Sequence, residues 1–256
     1  FHMWTPDVYE GAPTSVTALF AIVPKLAAIA LLMRMLLGPF SEIVFQWSQV
    51  LWILSVASMF VGAFAGLAQQ NFKRLLAYSS IGNMGYALMG LVAGTPDGAG
   101  SIIFYLMIYM MMTAGVFGIF IALRRGGLFV ENISSFSGLS STHPVSAYGM
   151  AILMLSMMGI PPFAGFFGKL FIFQSAIEAG YFYLAIIGVV TSVVAAYYYL
   201  RIIKVMFFDE AVETLEKDND IARTTVVMLS LVGVVGLVLV PEPILVICRS
   251  AAFSLF

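Results

Sequence analysis

Polar residues are sparse along this 256-residue chain and cluster at the breaks between long apolar runs. Thr14 to Leu37 is the first run and Ser48 to about Ala68 the second. The polar corner Gln69-Gln70-Asn71-Phe72-Lys73-Arg74 follows, then a third run to about Ala93. A turn, Gly94-Thr95-Pro96-Asp97-Gly98, leads into a fourth, Gly100 to Leu123, and a partly amphipathic loop occupies Arg124 to His143. Apolar sequence resumes from Pro144 to Ala179 and from Tyr181 to about Ile203. After an acidic loop, Asp209 to Asp220, the last run is Ala222 to Val240, ahead of Pro241-Glu242-Pro243 and an apolar tail. About 20 apolar residues cross a hydrocarbon core of roughly 30 Å as a helix. Only helices and closed barrels satisfy every backbone group there. The pattern predicts an all-α polytopic membrane protein with seven spans.

The run from Pro144 to Ala179 does not fit a single straight span. At about 1.5 Å per residue it would be roughly 54 Å long. It also contains Gly159-Ile160-Pro161-Pro162, where two prolines remove two backbone donors and clash with the preceding turn. The helix is expected to break there into two halves, with Lys169 in the second half about ten residues from its end, roughly 15 Å in from that surface. Irregular backbone at that depth needs burial in protein or access to water, and a broken helix beside a buried lysine marks an ion pathway.

Composition agrees: 61% of residues are hydrophobic and only 10% charged, with a mean hydropathy of +1.01, against about 25% charged in soluble domains. The single cysteine, Cys248, excludes a disulfide framework, a Cys-ligated cluster and a CxxC motif. His2 and His143 lie too far apart in sequence to suggest a metal site, and a net charge of −1 argues against a nucleic-acid partner. Alternate loops differ in charge. Lys73, Arg74, Arg124, Arg125, Arg201, Lys204, Lys217 and Arg223 gather on one side, Arg34 and Arg249 on the other. The first side is therefore expected to be cytoplasmic, or the matrix side in an organelle. Glu213 to Asp220 reads as a solvated loop.

Lys25 and Lys169 belong to neither side. A long lysine stem can snorkel to the interface, but both stand near mid-span, where a charge costs about 2.5–3.5 kcal/mol on insertion scales. Low-dielectric surroundings favour the neutral amine, and a lysine so placed can load and release a proton as a relay does. In the third run Ser79, Asn83 and Tyr86 share one helical face, with Ser80 beside it. They either hold a file of water or, as serine in membrane helices does, bond their own preceding turn. Tyr105, Tyr109 and Thr113 form a similar line in the fourth run, read as packing.

Four stretches, in order, resemble one known family: FHMWTPDVYEGAPTSVTALF with VPKLAA around Lys25, NFKRLLAYSSIGNMGY at Asn71 to Tyr86, ISSFSGLSSTHP at Ile133 to Pro144, and LSMMGIPPFAGFFGK at Leu155 to Lys169. These are similar to the antiporter-like membrane subunits of respiratory complex I, NADH:quinone oxidoreductase. The WTPDVYEGAP form resembles one branch, whereas other branches carry W-L-P-D-A there.

The resemblance implies an antiporter-like fold of about fourteen helices, with inverted repeats that each contain one broken helix. This chain then reads as the C-terminal part of a longer protein: residues 1–37 end the first repeat, 38–206 form the second, and 207–256 form a cytoplasmic loop, a closing helix and a tail. It also implies that Lys25 is the central relay lysine and Lys169 the terminal lysine of the second half-channel, with a glutamate–lysine pair on earlier helices. Pro161, Pro162 and Gly159 would shape the break, and Ser79, Ser80, Asn83 and Tyr86 the channel.

The implied function is proton translocation coupled to quinone reduction, in a bacterial inner membrane or its mitochondrial counterpart. NADH, FMN, iron–sulfur clusters and quinone would belong to partner subunits, with no cofactor in this chain. Its partners would be other membrane-arm subunits, both antiporter-like and small, and lipids. Two alternatives remain at this point, a subunit of a multisubunit sodium/proton antiporter and a structural membrane subunit that moves no ion.

Overall fold

A computed structural model describes residues 3–125, 128–211, 215–217 and 220–255. Phe1, His2 and much of the predicted solvated loop, including Glu213 and Asp218, lie outside the described residues, as do the side chains of Arg125 and Lys217.

The apolar runs form helices. The short α1 (Thr5–Gly11) leads to α2 (Thr14–Leu37), α3 (Val44–Leu67), α4 (Phe72–Val92) and α5 (Pro96–Ala122). After α6 (Leu139–Thr142) come α7 (Pro144–Met158), α8 (Ala164–Glu178), α9 (Phe182–Phe208), α10 (Ile221–Gly236) and α11 (Pro241–Ala252). Five of the described helices, α2, α3 with its preceding turn, α4, α5 and α9, are long and apolar enough to cross a membrane. Helix starts follow local chemistry: Asn71 accepts from the Arg74 amide at 3.1 Å, Thr95 accepts from Gly98 at 3.1 Å, and Pro96 and Pro144 begin α5 and α7.

The most polar of these helices, α4, lies in the middle of the bundle. Nearly all of it is buried, because in lipid its serines and Asn83 need partners that neighbouring helices supply. The α2 flank instead exposes Leu19, Phe20, Val23 and Leu31. Helices α3 and α4 meet backbone to backbone, and a Cβ on Gly62 would stand 2.4 Å from the Gly82 nitrogen.

The expected break is present. Helix α7 ends at Gly159, whose φ of +86° suits glycine. Ile160 and a cis Pro161–Pro162 bond follow, and α8 restarts at Ala164. The two halves overlap side by side: the Gly165 amide donates to Ser156 Oγ at 3.1 Å, and a Cβ on Gly165 would lie 1.9 Å from the Ser156 carbonyl oxygen.

The all-α class holds, with one small addition between loops: β1 (Leu123–Arg125), β2 (Leu128–Phe129) and β3 (Glu216–Lys217) form a short antiparallel sheet in the order β2-β1-β3. Two loops leave the bundle side by side there, and their extended backbones pair, with Arg124 opposite Glu216. The last span ends at Gly236, not Val240, and the expected apolar tail is helix α11, bent 101° from α10. Sixteen residues of α10 span only about 24 Å. Pro241 then starts α11 in its new direction, and an Arg249–Asp97 ion pair at 2.8 Å fixes it to the start of α5. Finally, α9 runs on past Ile203 to Phe208, carrying Lys204 beyond the apolar run toward Asp209.

The backbone approaches give two tests in detergent-solubilised protein. Gly62→Ala is expected to lower thermal stability by at least about 1–3 kcal/mol by wedging α3 from α4, while Gly82→Ala, whose Cβ meets its nearest atom at 3.6 Å, is expected to be near neutral. Gly165→Ala is expected to prevent α8 from seating against α7, read as loss of the folded species on size-exclusion chromatography.

Candidate functional site

Lys169 lies in the second turn of α8 and is 6% exposed. Its Nζ donates to the Met158 carbonyl oxygen at 2.9 Å and to Ser192 Oγ, on α9, at 2.9 Å. It also stands 5.0 Å from the centroid of the Tyr86 ring. The ammonium therefore caps the C-terminal end of α7, where the helix dipole is negative and the last carbonyls lack intrahelical partners. The break aims the end of one half-helix at the lysine of the other.

Lys25 is half-buried at the middle of α2, one residue after Pro24. Its Nζ donates to Tyr9 Oη and to Ser80 Oγ, and lies 5.0 Å from the Tyr9 ring centroid. Ser80 in turn hydrogen-bonds Tyr109 Oη at 2.7 Å.

One turn of α4 carries the series toward Lys169. Ser79 bonds Tyr199 Oη, on α9, at 2.5 Å. Asn83 Nδ2 donates to Ser79 Oγ at 3.3 Å, and Asn83 Oδ1 accepts from Tyr105 Oη at 2.9 Å. Tyr86 Oη lies 3.4 Å from Thr191 Oγ1. Two small cavities flank Ser79, each about 10 Å³, room for about one water. The first is bounded by Tyr9, Ser79, Tyr109 and Thr113, the second by Ser79, Asn83, Tyr86, Tyr199 and Lys169. Hydroxyls and water both donate and accept. An alternation of such groups between two amines is chemically fit to pass a proton.

Of the residues singled out from sequence, Lys25, Ser79, Ser80, Asn83, Tyr86 and Lys169 are thus brought together. Gly159 shapes the turn against Lys169: a Cβ there would lie 2.9 Å from Lys169 Cδ. Pro161 and Pro162 are exposed on the flank and do not line the polar series. The α4 serines reach other helices, not only their own preceding turn.

Tyr105 and Tyr109, read as packing, are buried and also donate or accept in the series. The shared helical face was the signal there. Tyr9, Thr191, Ser192 and Tyr199 were missed. For the α9 residues the signal available was Thr191 and Tyr199 two turns apart in an apolar helix. For Tyr9 there was none, because only the fold places it against Lys25.

The sequence profile described as NADH:quinone oxidoreductase/Mrp antiporter, transmembrane, matches residues 1–195. Among curated relatives, NADH-quinone oxidoreductase subunit N of Paramagnetospirillum magneticum is 49% identical over 100% of this chain and 53% of the relative. Its counterpart in Methylobacterium nodulans is 51% identical with the same coverage. The chain thus spans about half the length of the curated relatives it matches. A chain of respiratory complex I from Thermus thermophilus superposes with a TM-score of 0.83 at 34% identity, covering 96% of this chain and 54% of that one. A chain of the Mrp complex from Dietzia sp. DQ12-45-1b superposes at 0.87 with 23% identity, covering 99% and 55%, a likeness of fold. By sequence along most of its length and by its antiporter-like fold, this chain belongs to the membrane family shared by NADH:quinone oxidoreductase and the Mrp antiporter.

Proposed function

We propose that the chain works as part of a proton-translocating membrane-arm subunit of NADH:quinone oxidoreductase in a bacterial inner membrane. The observation that carries this reading is the polar series joining Lys25 to Lys169 through α4. A scaffold has no use for two mid-membrane ammonium groups, each costly in hydrocarbon, linked by groups that donate and accept. Relatives of about 50% identity named as subunit N support NADH:quinone oxidoreductase over an Mrp-type antiporter, since the fold alone is common to both.

In this reading the redox cofactors and quinone sit in partner subunits, and electron transfer there changes the field along the membrane arm. A positive field at Lys25 drives its proton onto the Ser80 and Tyr9 hydroxyls. The hydroxyls and the two water-sized cavities relay it past Ser79 and Asn83. Lys169 accepts it, with the Met158 carbonyl and Ser192 holding the ammonium. Arrival of charge at Lys169 makes the next site in the arm less favourable for a cation, so transfers stay ordered.

The test uses the whole complex in proteoliposomes, with NADH oxidation and proton uptake measured together and assembly followed on a native gel. Lys169→Ala and Lys25→Ala are each expected to assemble and to lower both readings by on the order of tenfold or more. Lys169→Arg, bulkier and permanently charged, is not expected to restore them. Normal pumping in either alanine variant would refute the relay, and a requirement for sodium would favour the antiporter reading.

A further inference from the structure

Lys73 is the second residue of α4 and is 2% exposed. Both facts call for a reason. A cation in the first turn of a helix opposes the dipole, and a lysine at the end of a membrane helix normally snorkels outward. Arg74, one residue on, behaves in that way: it is partly exposed and pairs with Asp7 at 3.1 Å and Glu10 at 2.7 Å.

Lys73 turns inward instead. Its Nζ donates to the carbonyl oxygens of Glu10 at 2.7 Å and Ala12 at 3.2 Å, and pairs with Glu131 at 2.7 Å. Three acceptors match the three donors of an ammonium.

The two carbonyls belong to the end of α1, a helix of only 7 residues. Such a helix is weakly held by its own hydrogen bonds, and its last carbonyls need outside donors. Tyr9 is in its final turn, immediately before Glu10, and Tyr9 Oη is a partner of Lys25. Thr17 Oγ1 also donates to this turn, reaching the Tyr9 carbonyl at 3.1 Å, and Arg74 donates to the Glu10 carboxylate at 2.7 Å. Glu131 is itself fixed, because its carbonyl accepts from the Phe72 amide at 2.7 Å and Ile133 donates to the Gln70 carbonyl at 3.0 Å. The Glu131 backbone is thus tied to the start of α4, and Lys73 joins the end of α1 to it.

We infer that Lys73 is a positioning residue that clamps the Glu10 and Ala12 carbonyls against Glu131 and thereby holds the Tyr9 hydroxyl on Lys25. It touches neither lysine of the relay and acts through Tyr9. This inference rests on the reading of Lys25 as a relay group.

The test is a double-mutant cycle in the whole complex, with NADH-driven proton uptake followed across pH for wild type, Lys73→Met, Tyr9→Phe and the double variant. Lys73→Met keeps the apolar stem and removes the donors. Each single variant is expected to lose roughly tenfold to a hundredfold, the range a misplacement of about 1 Å costs. The double variant is expected to be no slower than Tyr9→Phe, and the pH profile of Lys73→Met to overlay that of Tyr9→Phe. Losses that multiply, a wild-type pH profile at reduced amplitude, or no loss in Lys73→Met would each overturn the inference. If Lys73→Met does not assemble, Lys73→Leu, which likewise removes the donors and leaves an apolar stem, is judged by the same criteria. Lys25→Ala measured alongside separates the two levels. Normal uptake there sinks the relay itself, whereas slow uptake with multiplying losses sinks only the role of Lys73.

Discussion

An ammonium group meeting the open end of a helix organises this bundle. In hydrocarbon a charge and an unpaired carbonyl are each costly, and Lys169 and Met158 relieve one another at 2.9 Å. That pairing requires α7 to stop in mid-run, which Gly159, Pro161 and Pro162 enforce. It also requires α8 to restart close beside α7, which only a glycine at 165 permits. Without the break, the Met158 carbonyl would be spent inside a helix and Lys169 would lack its acceptor.

The same need for internal satisfaction places α4 at the centre. Its serines and asparagine are shut off from bulk water, so α2, α5 and α9 each bring a polar group to them: Lys25, Tyr105 and Tyr109, and Tyr199. The resulting series is structural in origin, since every member satisfies another. It is also suited to carrying a proton, because hydroxyls and water at hydrogen-bond distance can take up one hydrogen as they give up another. In the proposed function, stability and conduction would draw on one set of contacts.

Much of this is legible in the chain. The apolar runs announce the spans, the two prolines announce the break, and the i, i+4, i+7 spacing of Ser79, Asn83 and Tyr86 announces the polar face of α4. What lies beyond reach is whatever depends on a second element. Tyr9 has no periodicity to betray it. Lys73 looks like any basic residue at a membrane edge until α1 is folded beneath it. The α10–α11 bend was hidden because an apolar run of adequate length reads as a span, and hydropathy does not register that Pro241 begins a helix in a new direction. The small sheet escaped because it forms between loops distant in sequence.

Between the two lysines, Asn83 bonds both Ser79 and Tyr105 and borders the second cavity. Asn83→Leu leaves Lys25 and Lys169 in place, keeps a similar volume, and replaces a donor and an acceptor beside the second cavity with hydrocarbon. The decisive measurement is proton uptake by assembled complex carrying this variant in proteoliposomes. The account predicts uptake falling by on the order of tenfold or more with both lysines intact. Uptake equal to wild type would contradict it, because protons would then be passing between the lysines by some route other than the polar face of α4.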